Sequence, residues 1–204
     1  MGKREDTEQQ ILNAAIKLIS EKGYNAAKTN EIAEMANTSE AIIFKYFKTK
    51  KGLLTAIVYK AIELLGHELA YKPISNILKT HRERPLDEVM DLVIDDRINL
   101  ILKNHMILKV LLSEIQYHSD LRDVAVAKVA NPIFEDFKDF MAYHREQGSV
   151  DPQLDDEVII QTIFSVLFIG VIKRVIMDTG MDKVALKKEM LQAKKIVLKG
   201  IKPE

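Results

Sequence analysis

The sequence predicts an all-α protein of about nine helices, with a small N-terminal three-helix unit ahead of a larger helical domain. Three observations carry this. Only 8 Gly and 5 Pro occur in 204 residues, too few for the many tight turns of an all-β chain. Apolar residues recur every three to four positions along most of the chain, the period of one helix face. No run alternates apolar with polar residues as a half-buried strand does. Hydrophobic residues at 47% and charged residues at 29% are ordinary for a globular chain, and the length suffices to bury a core. The absence of Cys removes disulfides, thiolate zinc sites and Cys nucleophiles together.

Taken in order, Ile11, Ala14, Ala15, Leu18 and Ile19 line one face of a first helix. Thr7 and Gln10 have capping-box spacing and place its start; Gly23 after Lys22 ends it. Thr29 can cap a short helix through about Met35, Asn37-Thr38 is a turn, and Ser39 can cap a third helix through about Phe47. Helices this short hold only by packing on neighbours. A longer helix begins near Lys51, with Leu54, Ile57, Val58, Ala61, Leu65 and Leu69 on one face, and Pro73 should break or bend it near Tyr71. Further helices are expected near 86–103, 105–117, 120–147, 155–178 and 183–199. Arg84-Pro85, Asn104, Ser119-Asp120, Gly148 to Pro152 and Thr179-Gly180 punctuate them, and Asn131-Pro132 should kink or split the helix that contains it. The domain cut is expected as 5–65 and 66–204.

The longest uncharged stretch, Val158 to Ile172, is 15 residues and holds Gln161 and Ser165. A bilayer span needs about 20 apolar residues, so this reads as a helix buried in a core or interface. The N-terminus leads straight into an amphipathic segment without an export signal. A cytoplasmic protein with no membrane association is expected.

Net charge is zero but unevenly placed. Residues 1–60 hold 10 Lys/Arg against 7 Asp/Glu, and from Lys45 to Lys60 there are five Lys and no acid. Three helices in 7–47, two of them short and joined by a tight turn, have the layout of a helix-turn-helix at about 28–47. In that motif two helices hold a third, which projects into a DNA major groove about 12 Å wide. A lysine cluster alone is more often only a solvated face.

The ordered residues say more. Ile11-Leu12-Asn13-Ala14-Ala15, Leu18, Gly23-Tyr24, Thr29, Ile32-Ala33, Ser39, Tyr46-Phe47, Lys50 and Leu53-Leu54 resemble the tetracycline-repressor (TetR) family pattern over about residues 8–58. Beyond residue 60 only the helical architecture is similar. The resemblance implies that Thr29 holds a phosphate, that Lys28 before it adds a cationic contact, and that Lys50 touches the DNA backbone. It implies that Glu40, Ala41, Ile42, Phe44, Lys45 and Tyr46, with Ser39 and Lys48 at their flanks, form the base-reading and backbone-contacting surface. Three positions depart from the pattern: Asn37 stands for the usual turn Gly, Phe44 for Tyr and Thr38 for Val. Asn tolerates left-handed backbone angles, so the turn should survive.

The resemblance also implies a homodimer built on a four-helix bundle of 155–178 and 183–199, with Ile160, Phe164, Leu167, Val171, Met190, Val197 and Leu198 at the interface. It implies a small-molecule pocket among 86–178, for which polar residues on apolar stripes nominate Arg97, Glu114, Tyr117, His118, Phe137, Met141, Phe164 and Phe168. Arg97 and Glu114 could instead pair with each other, and aromatic stripes are core more often than not. Enzyme readings fare poorly. Glu63/His67 and Glu114/His118 are E-x3-H pairs, whereas di-iron bundles use E-x2-H. H-E-x2-H, G-x-S-x-G and a phosphate-binding Gly loop are all absent. No cofactor or resident metal is expected. The sequence thus reads as a ligand-responsive transcriptional regulator, a repressor that an unknown small-molecule effector releases from a double-stranded DNA operator. The alternatives are an all-α ligand- or metal-binding protein with a vestigial helix-turn-helix, and a helical-bundle enzyme.

Overall fold

A computed structural model describes residues 3–177, 180 and 182–203, apart from the side chains of residues 3, 4, 64, 65, 67 and 167. Among these residues the regular elements are helical and no strand occurs. The chain divides into two compact units. One comprises the residues up to Glu63 with His105–Arg122, the other Leu64–Asn104 with the residues from Asp123 onward.

The first unit opens with α1 (Lys3–Lys22), α2 (Thr29–Met35), α3 (Glu40–Phe47) and α4 (Lys50–Ala61). Helix α1 begins before Thr7, so that residue lies inside the helix and is not its cap; Glu5 and Asp6 occupy the first turn instead, where the helix dipole favours acids. Gly23 ends it at φ 81°. Ile11, Ala15, Ile32, Ile43, Leu53, Leu54 and Ile57 are almost wholly buried and form the shared core. Ser39 caps α3 as expected, accepting from the Ile42 N–H at 3.4 Å. Thr29 does not cap α2. It is the first helical residue, Lys28 holds the cap position, and the Lys28 N–H donates to Glu31 at 3.4 Å. Thr49 caps α4 from Gly52 at 2.9 Å. A Cβ on Gly52 would fall 2.1 Å from the Phe47 carbonyl oxygen, so only glycine allows this close turn.

The chain then continues through wide π turns, Ile62–Tyr71, into α5 (Lys72–Thr80). Pro73 therefore opens a further helix, which the sequence pattern did not reveal. Proline has no N–H to give the carbonyl four residues earlier, which is that of Leu69. The Arg97 guanidinium donates to that carbonyl at 3.1 Å and takes the missing donor's place. Pro132 is likewise preceded by π turns, Val126–Ala130, ahead of α8 (Asn131–Glu146); the expected 120–147 helix is thus α7 (Ser119–Ala125), a widened turn and α8. Helix α6 (Leu86–Glu114) runs through the expected break, but Asn104 leaves helical angles at φ −125°, ψ 18° and divides it.

Helices α9 (Asp156–Val175) and α10 (Lys183–Gly200) complete the second unit. Asp155 and Asp182 cap them, accepting from Glu157 N at 2.7 Å and Val184 N at 2.8 Å. Of the expected break between them, Gly180 has φ 90° and Thr179 lies outside the described residues. Between α8 and α9 the Arg145 guanidinium donates to the carbonyls of Asp151 and Leu154 at 2.7 and 2.6 Å and pairs with Asp156, which fixes the connecting loop. Phe137, Phe140, Met141, Val89, Val93 and Ile160 centre the core. Along one side, Asp87, Asp91, Asp95 and Asn99 of α6 meet Lys194, Lys187 and Lys183 of α10. By length and composition α9 could cross a membrane, but Ile159, Ile160, Ile163 and Val175 on it are buried against the unit's own helices.

Candidate nucleic-acid interface

The α2–α3 turn positions the candidate recognition helix. Asn37 adopts φ 50°, the left-handed conformation expected where the family pattern has Gly. The N–H groups of Asn37 and Thr38 close the end of α2 on Glu34 and Ala33 at 3.0 and 2.9 Å. Ile43 then points into the core, fully buried, and Ile42 is half-buried. That leaves Glu40, Ala41, Phe44, Lys45 and Lys48 exposed on α3, with Lys28 and Ser39 beside them. Tyr46 is half-buried and tilts against Phe47, their rings 6.1 Å apart. Lys48 ends the helix at φ 62°, a strained angle for a residue with a Cβ.

Several of these residues hold one another. The Thr29 hydroxyl donates to the Glu40 carboxylate and so ties the first turns of α2 and α3. Lys50 donates to the Asn25 carbonyl at 3.2 Å and lies 4.6 Å from the Tyr24 ring centre, which pins the loop before α2. Lys22 pairs with Glu31 at 3.0 Å, and this hydrogen bond holds the Glu31 carboxyl below its ordinary range. The surface therefore presents Lys28, Lys45, Lys48, Lys50 and Lys51 around one recognition helix, with Glu40 as the acid in that helix's first turn.

The expected ligand residues are divided between the two units. Glu114, Tyr117 and His118 belong to the first unit, and Arg97, Phe137, Met141, Phe164 and Phe168 to the second. Burial raises the Glu114 carboxyl above its usual range, with His118 opposing. Tyr117 is 75% exposed. Arg97 pairs with Asp96 and serves the Leu69 carbonyl. Phe137 and Met141 are wholly buried core. Phe164 stacks on Phe134 at 4.9 Å and meets Phe137 edge-on at 5.1 Å, while Phe168 is exposed on α9. Near this core a cavity of about 20 Å³, bounded by Met90, Val93, Ile163, Met190 and Lys194, has room for about one water. A ligand pocket is typically a few hundred Å³, well above this space. The His67 side chain lies outside those described. Among the described residues no group of three or more potential ligands is placed to hold a metal ion.

The expected dimer residues differ in burial within the single chain. Ile160, Met190 and Leu198 are buried inside the second unit, and Phe164 packs in its aromatic cluster. Val171 and Val197 are half-buried, and the Leu167 side chain lies outside the described residues. The exposed apolar residues are instead Val158, Phe168, Ile169 and Ile176 of α9 and its end, with Val184 and Ile196 of α10. Because α9 is apolar nearly all round, its sequence did not distinguish the inner side from the outer.

Comparison with known proteins agrees with this geometry. Residues 11–57 match the family model "Bacterial regulatory proteins, tetR family". The "Uncharacterized HTH-type transcriptional regulator YvkB" of Bacillus subtilis (strain 168) is 54% identical over 52 residues, 26% of this chain and 28% of that relative; the match spans about a quarter of the relative's length. The "Fatty acid metabolism regulator protein" of the same organism is 24% identical over 188 residues, covering 90% of this chain and 91% of that protein. Among solved structures, the TetR family transcriptional regulator PfmR from Thermus thermophilus superimposes with a TM-score of 0.68 at 20% identity, over 95% of this chain and 99% of that one. Residues 11–57 thus carry the DNA-binding domain of the tetR family of bacterial regulatory proteins, and the chain as a whole shares the all-helical fold of TetR-family regulators.

Proposed function

We propose that the protein is a cytoplasmic, homodimeric repressor that binds a near-palindromic operator through α3 and leaves it when an apolar effector enters the second unit. The carrying observation is the helix-turn-helix surface: a turn closed by left-handed Asn37, a recognition helix with Lys45 exposed, and lysines at both flanks. Such a surface neutralises phosphates and reads base edges together. The effector class follows from two supports. The full-length relative named a fatty acid metabolism regulator suggests an acyl compound, and the interior of the second unit, centred on Phe134, Phe137 and Phe164, is apolar. The exposed stripe on α9 supports self-association.

The test is fluorescence anisotropy with fragments of the promoters adjoining the protein's own coding sequence. A fragment bound far more tightly than random DNA, with affinity falling steeply as salt rises, is the expected result. Long-chain fatty acids and their thioesters are then titrated into the complex, and release is expected. Binding that is equally weak for every fragment would refute the regulator reading in favour of a vestigial motif. Stable complexes in the presence of every acyl compound would remove the effector class alone.

A further inference from the structure

We propose that Glu40 is a specificity determinant that admits cytosine at one base position and repels DNA lacking it, with the Thr29 hydroxyl as its partner in the free protein. The inference rests on the DNA-binding reading above and goes beyond it by naming the base and the means of rejection. Glu40 is exposed in the first turn of α3, on a surface otherwise furnished with Lys28, Lys45 and Lys48. A carboxylate there weakens the attraction of every phosphate backbone, and it is productive only opposite a hydrogen-bond donor.

The major-groove edges differ in what they offer. Cytosine presents its N4 amino group with no acceptor beside it. Adenine sets the N7 acceptor next to its amino group, and guanine and thymine present the acceptors O6, N7 and O4. Of the four, cytosine is the base edge whose donor a carboxylate can meet without facing a second lone pair.

In the free protein Glu40 already has a donor, the Thr29 hydroxyl. When Glu40 turns to cytosine, that hydroxyl is released and can donate to a phosphate. Cognate DNA therefore makes both contacts at once. On other DNA either Glu40 stays with Thr29 and the phosphate contact is lost, or the carboxylate faces base acceptors. One exchange of partners thus penalises the wrong sequence by two routes.

The experiment is binding-site selection together with anisotropy on random-sequence DNA, for wild type, Glu40→Gln, Glu40→Ala and Thr29→Val, each checked for native helicity. Wild type should select cytosine at one position. Glu40→Gln should move that preference to adenine, which a glutamine side chain can read through N6 and N7. Glu40→Ala should accept any base there and bind random DNA roughly threefold more tightly or better. Thr29→Val should weaken binding to all sequences and keep the cytosine. Glu40 variants that return the wild-type consensus would overturn the proposal. So would a Thr29→Val protein that loses the cytosine as Glu40→Ala does, because Glu40 would then act only by bracing the turn. A wild type that enriches no sequence would overturn the DNA-binding reading and this inference with it.

Discussion

Lys50 serves two ends with one ammonium group: it holds the Asn25 carbonyl and the Tyr24 ring, and it stands in the first turn of α4 beside Lys48 and Lys51. Replacing it with Ala should weaken binding to all DNA sequences alike and reduce the salt slope by about 0.9, one phosphate's worth, measured by anisotropy across a salt series. An unchanged slope would assign Lys50 to the loop alone. Lys45→Ala should behave differently, costing roughly 1–3 kcal/mol on the cognate site and relaxing selectivity at one base pair. His144 gives a residue-scale test in the second unit. It is buried with an unpartnered Nε2, its ring edge-on to Phe140 and Tyr143, and desolvation pushes its pKa down while Arg82 adds a positive charge nearby. A depressed histidine takes up its proton more readily when unfolded, so its contribution to stability is present above the ordinary pKa of about 6.5 and is lost as pH falls below it. The melting temperature should fall on going from neutral to mildly acid pH, and His144→Leu should flatten that dependence. The exposure of Lys45 and the left-handed Asn37 were legible from residue type and spacing. Thr29's bond to Glu40 was not, because it depends on how two short helices are placed.

Helix punctuation was legible as to position but not as to outcome. Gly23, Asn104 and Ser39 act where the sequence puts them. Pro73 was expected to break or bend its helix and Pro132 to kink or split its own, and before each proline the turns widen. What a proline does to a helix depends on whether a donor can reach the carbonyl it leaves unpaired, and for Leu69 that donor, Arg97, lies far along the chain. This yields a double-mutant cycle. Arg97→Leu should destabilise by about 0.5–1.5 kcal/mol, the net worth of one hydrogen bond, read by urea unfolding. In a Pro73→Ala background the backbone N–H gained at that position can serve Leu69 itself, and the same Arg97 change should cost clearly less. Equal costs in both backgrounds would mean that Arg97 stabilises through Asp96 and not through the carbonyl.

At the scale of the whole molecule, the proposed homodimer rests on α9. One side of it supplies core residues such as Ile159, Ile160 and Ile163, and the other leaves Val158, Phe168 and Ile169 exposed, with Gln161, Thr162 and Ser165 exposed among them. Periodicity cannot separate two apolar sides of one helix, which is why Ile160, inward in the structure, read from sequence as interface. The two sides give opposite expectations for a buried charge. Met190→Glu places an unpaired carboxylate in the core, at a cost of several kcal/mol, and should unfold the second unit. Phe168→Glu places it on the outer stripe, so the subunit should keep its helicity and melt cooperatively but run as a monomer in light scattering. The monomer should also lose DNA affinity without any change in α3. A two-fold dimer engages two half-sites about 34 Å apart, and linking two binding modules raises affinity by about 10²–10⁴ over one alone. Phe168→Glu should forfeit a large part of that factor on a full operator while binding an isolated half-site as wild type does. A Phe168→Glu protein that stays dimeric and binds the full operator normally would show that the two recognition helices are joined through some other surface.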